Sequence, residues 1–206
     1  MTGTGQLLLV SAPSGAGKTS LVEAALKRDS NLRASISHTT RRIRPGEKDG
    51  VNYHFVDPET FAQMVAADKF LEHATVFGNA YGTSHSQVDE QLKTGVDVVL
   101  EIDWQGANQV RKLRPDAVSI FILPPDTATL EQRLQNRGQD APDVIAQRLS
   151  EAKLDMSKAP NYDYIIVNDN FEQALEQLLA TISAARCQTH HLLATNAQVR
   201  SLVGSG

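Results

Sequence analysis

Apolar runs alternate with amphipathic stretches along most of this chain. Four runs are short and almost wholly apolar, which is typical of buried strands; they lie at 7–10, 96–103, 118–123 and 164–167. Apolar residues recur at helical spacing in the stretches 18–28, 105–113, 126–137, 141–158 and 171–186. Buried strands that alternate with helices predict an α/β fold, in which helices cover both faces of a parallel sheet.

The segment 37–95 breaks this alternation. It contains a polar, turn-rich stretch at 38–50, then short strand-like runs and a helix that Asp57 and Pro58 are expected to begin. We therefore predict an insertion that forms a separate lobe. The C-terminal stretch 188–206 is only weakly patterned.

Composition and charge narrow the class of protein. Of the 206 residues, 41% are hydrophobic and 21% are charged, as expected for a globular protein with a real core. The net charge of −4 disfavours a general nucleic-acid binder, because no global basic field would attract a polyanion. The single cysteine, Cys187, precludes an internal disulfide. Without a signal-like N-terminus or an apolar run of membrane-spanning length, we expect a cytoplasmic protein that does not bind membranes.

The first apolar run leads into a loop of small residues and then into a helix. The loop and the start of the helix read Ala12-Pro13-Ser14-Gly15-Ala16-Gly17-Lys18-Thr19-Ser20. This order predicts a phosphate-binding loop of the P-loop NTPase type, whose backbone N–H groups converge on a nucleoside triphosphate. Lys18 is expected to reach the β- and γ-phosphates, and the Thr19 hydroxyl to ligate Mg²⁺. Because Ala12 stands where the motif usually begins with glycine, a plain strand-to-helix turn is the alternative.

A second group of phosphate-binding side chains lies in the insertion. Arg41, Arg42 and Arg44 fall within four residues, and Tyr53 and Tyr81 follow. Arginine forks bind phosphate oxygens in pairs and a tyrosine hydroxyl adds one hydrogen bond, so the group predicts a second phosphate site. An RNA-binding patch and a solvated basic loop are the alternatives.

The second apolar run ends in two carboxylates, Glu101 and Asp103. Ligands of open α/β sheets bind at the carboxyl ends of the strands, and strand alternation places both side chains on one face, beside Lys18 and Thr19. One carboxylate is expected to hold Mg²⁺ or its waters and the other to meet an acceptor substrate. Two solvated carboxylates at a strand end are the alternative.

Three arginines lie on the helical stretches around Gly138, namely Arg133, Arg137 and Arg148. Arginine from a mobile segment can neutralise charge on a transferring phosphoryl group. The breaks at Pro124-Pro125 and Gly138 would let these helices move as a lid. Solvated arginines on a helix surface are the alternative.

Together these motifs resemble the guanylate kinase family, which phosphorylates GMP with ATP. The matching stretches run in the family's order from about residue 6 to residue 170: SAPSGAGKTSL, SHTTRRIRPGEKDGVNYHF, FLEHATVFGNAYGTS, LEIDWQGA, IFILPP, LQNRGQD and YDYIIVND. The resemblance implies a GMP-binding lobe at 37–95 and a lid at 125–147. It implies that 1–36, 96–124 and 148–206 form the core domain.

The resemblance also implies a role for individual residues. It implies guanine contacts from Ser37, Glu72, Thr83 and Asp103. It implies a clamp on the GMP phosphate made by Arg41, Arg44, Tyr53 and Tyr81. It places Arg137 and Arg148 over the transferring phosphoryl group, and Arg133 and Asn168 on the ATP side.

The implied reaction is Mg²⁺-dependent transfer of the γ-phosphoryl group of ATP to GMP, and to dGMP, with Lys18, Arg41, Arg137 and Arg148 as catalytic residues. Glu72 would accept from guanine N1–H and N2–H₂, a pair of donors that adenine lacks. Glu101 is often aspartate in the family, which leaves its contact with Mg²⁺ open. The expected partners are ATP and GMP, and homo-oligomers are left open. The alternatives are a kinase for another nucleotide and a catalytically weak relative that binds phosphorylated proteins.

Overall fold

The larger of two sheets has five parallel strands. The computed structural model describes residues 4–76, 78–135 and 142–204, and elements are numbered along the chain. The strands are β1 (Leu7–Ser11), β2 (Leu32–Ala34), β7 (Asp97–Glu101), β8 (Val118–Leu123) and β9 (Tyr164–Val167). Their order across the sheet is β2-β7-β1-β8-β9, so the most apolar strand lies at the centre. This arrangement confirms the predicted α/β class.

Helices cover both faces of this sheet. They are α1 (Lys18–Arg28) and α7 (Phe171–Arg186) on one face, and α3 (His85–Lys93) and α4 (Trp104–Leu113) on the other. Helices α5 (Thr127–Gln135) and α6 (Pro142–Met156) pack against each other in a separate apolar cluster. Alternation along β1 sends Leu8 and Val10 to the apolar cluster under α1 and α7, and Leu7 and Leu9 to the cluster under α3 and α4. Both clusters are therefore organised by the strand that leads into the phosphate loop.

The region 37–95 contains the smaller sheet. Its strands are β3 (His38–Thr39), β4 (His54–Phe55), β5 (Phe70–Val76) and β6 (Asn79–Ser84), in the order β4-β3-β6-β5. Helix α2 (Pro58–Ala66) begins as predicted, because the Asp57 side chain accepts from the Thr60 N–H at 2.7 Å and Pro58 occupies the first turn. The division of the chain into core, lobe and lid stays a prediction.

Two expectations about the elements were wrong. The strand β9 is only partly buried: Ile166 lies in the core, but Ile165 and Val167 are each 48% exposed, because β9 is the edge strand and, among the described residues, pairs with β8 alone. The second apolar strand ends at Glu101, and Asp103 instead caps α4 by accepting from the Gly106 N–H at 2.9 Å.

The weakly patterned end forms two further helices. They are α8 (Thr189–Thr195) and α9 (Ala197–Leu202). Within the described part of the chain, no helix combines the length and the apolar character needed to cross a membrane.

Candidate active site

A cleft of about 260 Å³ opens where β1 and β7 end. Its floor is the loop after β1, including Lys18, and its walls carry Asp103 from the start of α4 and Arg148 and Asp155 from α6. The cleft thus brings the predicted phosphate loop together with one predicted carboxylate and one predicted lid arginine. Arg137 lies outside the described residues.

The phosphate loop is held by a turn and by a contact from beneath. The Ala16 N–H donates to the Pro13 carbonyl at 3.2 Å, and Gly17, with φ of 92°, leads into α1 at Lys18. The Ala16 carbonyl accepts from Asn168 Nδ2 at 2.7 Å. A Cβ on residue 17 would collide with that same amide nitrogen, so only glycine leaves room for the contact.

Asn168 and Arg133 are linked to each other beside the loop. Asn168 is 5% exposed, and the contact that its side chain makes is with the loop backbone. The backbone carbonyl of Asn168 accepts from Arg133 Nη2 at 3.0 Å. Arg133 Nη1 is buried and has no hydrogen-bond partner among the described residues. A buried guanidinium nitrogen without a partner is a donor suited to a bound anion.

The predicted Mg²⁺ residues lie in contact at the head of α1. The Thr19 hydroxyl donates to Glu101 Oε2 at 2.9 Å, and Lys18 Nζ lies 3.4 Å from the Ile102 carbonyl oxygen. Mg²⁺ prefers oxygen ligands and usually takes one or two from the protein, with the rest from waters and substrate phosphates. A hydroxyl and a carboxylate beside a phosphate loop fit that preference. Within the described ranges no group of three or more His, Cys, Asp or Glu side chains could hold a metal ion by itself.

The sequence prediction missed two carboxylates of the cleft, Glu151 and Asp155. Burial, and then the nearby Asp103 and Glu151, raise the pKa of Asp155 to about 6. The signal lay in the spacing: Arg148, Glu151 and Asp155 recur at intervals of three and four, which places them on one face of α6.

A second group of polar side chains, here called the Glu72 site, lies around Glu72 on β5. The Thr83 hydroxyl donates to Glu72 Oε1 at 2.6 Å, and Ser37 Oγ lies 3.1 Å from Thr83 Oγ1. Glu72 is 4% exposed, and a side chain at position 106 would collide with its Oε2, so the carboxylate packs against the start of α4. Burial raises the pKa of Glu72 to about 7, and the Asp103 carboxylate adds to the shift. The three predicted guanine contacts of the lobe therefore form one hydrogen-bonded chain.

The predicted phosphate clamp is partly assembled. The Arg41 guanidinium lies over the Tyr53 ring at 5.4 Å, and the Tyr53 and Tyr81 rings meet at 5.9 Å. Burial raises the pKa of Tyr53, so its hydroxyl stays protonated and able to donate. The Arg44 side chain is exposed. The sequence prediction missed Glu47, which pairs with Arg41 at 2.6 Å.

Comparisons with known proteins agree with this geometry. The family model described as "Guanylate kinase" matches residues 4–185. The chain is 60% identical to the guanylate kinase of Hahella chejuensis over 182 residues, which cover 88% of each chain. It is 54% identical to the guanylate kinase of Alcanivorax borkumensis over 197 residues, which cover 96% of this chain and 95% of the relative. The crystal structure of guanylate kinase from Anaplasma phagocytophilum superposes with a TM-score of 0.81 at 32% identity and covers 99% of this chain and 96% of its own.

The chain belongs to the guanylate kinase family. The match extends over both sheets, the phosphate loop and the helices α5 and α6, and so includes every part of the cleft described above. It confirms the resemblance that the sequence motifs predicted.

Proposed function

We propose that this guanylate kinase family member transfers the γ-phosphoryl group of ATP to GMP, giving ADP and GDP. One observation supports this most directly: the Glu72 carboxylate lies close to the phosphate cleft. Asp103 and Lys18 line the cleft, and both lie close enough to influence the charge of Glu72. A donor nucleotide on the loop would therefore face an acceptor held at the Glu72 site.

The Glu72 site selects guanine in this proposal. The ionised Glu72 carboxylate accepts from N1–H and N2–H₂, and the hydroxyls of Ser37 and Thr83 complete the polar lining. Adenine offers an acceptor at N1 and no 2-amino group, so it would leave a buried carboxylate unpaired. A site built to hydrogen-bond its substrate rejects such an analogue by roughly four to five orders of magnitude.

The Arg41 guanidinium, with Tyr53 and Tyr81, clamps the GMP phosphate, and the exposed Arg44 adds positive charge. This clamp fixes the acceptor oxygen in line with the γ-phosphate, and such positioning supplies much of the catalysis of phosphoryl transfer. No general base is needed, because the attacking phosphate is already ionised at neutral pH.

ATP binds on the other side of the cleft. The backbone of residues 12–17 surrounds the phosphates, and Lys18 and Ser20 lie at the start of α1. Arg133 and Asn168 flank the loop on the ATP side. Arg148 on α6, together with Arg137, balances the charge that develops on the transferring group when the lid at 125–147 closes and water is excluded.

Thr19 and Glu101 are the residues that would hold Mg²⁺, directly or through its waters. Bound Mg²⁺ would offset the negative charge of the triphosphate. Glu101 accepts from Thr19 in the structure, so the two side chains reach the same point from β7 and α1.

A panel of acceptors tests the proposal. GMP, dGMP, AMP, CMP and UMP would each be offered with Mg²⁺ and ATP, and ADP formation followed in a coupled assay. We expect turnover with GMP and dGMP and little with the others. A preference for AMP over GMP would refute the guanine assignment.

The variant Lys18→Met separates catalysis from acceptor binding. It should abolish turnover while GMP binding, measured by calorimetry, changes little. Unchanged turnover would contradict the role of Lys18 in the transfer.

A further inference from the structure

Glu47 joins Arg41 and Arg44, two of the three arginines of the predicted GMP lobe. Its Oε1 accepts from Arg41 Nη2 at 2.6 Å, and its Oε2 accepts from Arg41 Nη1 at 3.1 Å and from the Arg44 backbone N–H at 2.8 Å. The side chains of Arg41 and Glu47 are only 11% and 19% exposed. The pair is therefore shielded and bidentate, unlike the single exposed ion pairs that contribute little.

The geometry of this pair leaves one edge of the Arg41 guanidinium, near the Tyr81 side chain, for a ligand. The planar group has five N–H donors. The bonds to Glu47 and to the Arg42 carbonyl at 2.9 Å use both hydrogens of Nη1 and one of Nη2. The Nε–H and the second Nη2–H lie side by side on the remaining edge, a spacing that matches two phosphate oxygens. Arg41 can therefore bind Glu47 through Nη1 and Nη2 and, at the same time, a phosphate through Nε and Nη2.

The electrostatics agree with a permanent pair. The hydrogen bond to Glu47 is the main cause that raises the pKa of Arg41, with a further contribution from Tyr81, against the opposing effect of burial. The hydrogen bond from Arg41 lowers the pKa of Glu47. Both groups are charged at neutral pH, so the pair as a whole has no net charge. Binding of a phosphate therefore depends on which way the Arg41 guanidinium points.

We propose that Glu47 is a positioning residue for GMP: it orients Arg41 edge-on to the phosphate site, and it also binds the backbone N–H of Arg44. This inference rests on the proposed function. The opposite role, in which Glu47 competes with the phosphate for Arg41, predicts an effect of the opposite sign, so one measurement distinguishes the two.

The variant Glu47→Gln tests the proposal through steady-state kinetics. The amide nitrogen of glutamine would face the Arg41 donors, so the guanidinium would lose its fixed direction. We expect KM for GMP to rise about tenfold or more, while KM for ATP and kcat change by less than about threefold. Glu59→Gln is the matched control, since it removes the same charge from an exposed side chain of α2 in the same lobe, and it should leave all three constants unchanged.

A double-mutant cycle with Arg41→Lys tests the mechanism. Lysine keeps the charge but has no fork, so Arg41→Lys should raise KM for GMP strongly in the wild-type background and much less in the Glu47→Gln background. Equal effects in both backgrounds would overturn the proposal, as would an unchanged or lowered KM for GMP in Glu47→Gln alone.

The outcomes also separate this inference from the function on which it rests. Wild-type protein that does not phosphorylate GMP refutes the proposed function. Active wild-type protein with an unchanged KM in Glu47→Gln refutes only the role of Glu47. If thermal unfolding shows that Glu47→Gln does not fold, Glu47→Asp, which keeps the charge but shortens its reach, should raise the same KM to a smaller extent.

Discussion

The side-chain amide of Asn168 donates to the carbonyl oxygen of Ala16 at 2.7 Å, across 152 positions of the chain. Asn168 directly follows β9, and Ala16 lies in the phosphate loop after β1. Two strands separated by β8 are thereby joined under the site at which ATP is proposed to bind. Because Asn168 is almost fully buried, water cannot replace the bond.

Removing this amide should loosen the phosphate loop. In Asn168→Ala the buried Ala16 carbonyl loses its partner, which costs about 1–3 kcal/mol of stability. We expect KM for ATP to rise and KM for GMP to change little, as measured by initial rates with each substrate varied. Asn170→Ala is the control. It removes the cap of α7, in which the Asn170 side chain accepts from the Gln173 N–H at 3.1 Å. This variant should lower stability without changing KM for ATP. Equal changes of KM in both variants would contradict a role in the loop.

Gly17 tests the same contact from the other side. Gly17 and Gly46 have nearly the same backbone angle, with φ of 92° and 87°, but a Cβ at position 46 would meet nothing within 4 Å. Gly46→Ala therefore costs only the strain of the left-handed conformation, about 1–2 kcal/mol. Gly17→Ala adds a collision with Asn168 and should also abolish ATP-dependent turnover. Similar losses of activity and of unfolding free energy in the two variants would show that the collision is relieved.

Local patterns were enough to predict the centre of the fold and the phosphate loop. The residues of β1 are buried because the strand is apolar throughout, and α1 starts at Lys18 because glycine precedes it and helical spacing follows. Such features depend on neighbours along the chain. The same holds for Asp57 and Pro58 at the start of α2.

Features that depend on distant partners were not predictable. Ile165 and Val167 look like core residues in the sequence, and only the strand order places them at an edge. Asp97 lies in an apolar run yet is 2% exposed, because its two oxygens accept from the Gln6 N–H at 2.7 Å and from Arg186 Nε at 2.6 Å. Neither partner is near it in the chain, so no periodicity could reveal the pairing.

Glu101 should affect the requirement for Mg²⁺. The variant Glu101→Gln keeps the size of the side chain and its contact with Thr19 but removes a charged oxygen ligand. We expect the Mg²⁺ concentration for half-maximal activity to rise about tenfold at fixed ATP, since even side chains that hold a metal through its bound waters or ligands commonly contribute 10- to 100-fold in affinity. Glu23→Gln, on the exposed face of α1, is the control for charge. An unchanged Mg²⁺ titration would exclude Glu101 from the metal site.

Burial of Glu72 should make the empty protein less stable at high pH. Its pKa is raised from 4.5 to about 7, chiefly by burial, so between these values the folded state keeps a proton that the unfolded state has lost. Stability therefore falls as pH rises through this window, by about 3 kcal/mol in total. In Glu72→Gln this loss should be absent. The free energy of unfolding of the variant, measured with urea, should therefore rise relative to that of the wild type between pH 4 and pH 8. A constant difference between the two proteins would show that Glu72 has a normal pKa.

The same ionisation should control the use of GMP. Glu72 must be a carboxylate to accept from both N1–H and N2–H₂. The ratio kcat/KM reports ionisations of the free enzyme, so kcat/KM for GMP should rise as pH increases through about 7. The GMP phosphate titrates near pH 6 and contributes to every profile. Glu72→Gln should therefore keep the phosphate step, lose the step near 7, and have a lower kcat/KM for GMP above that pH. A step near 7 that persists in Glu72→Gln would assign the titration to another group, and Asp155, with its pKa of about 6, would be the next residue to substitute.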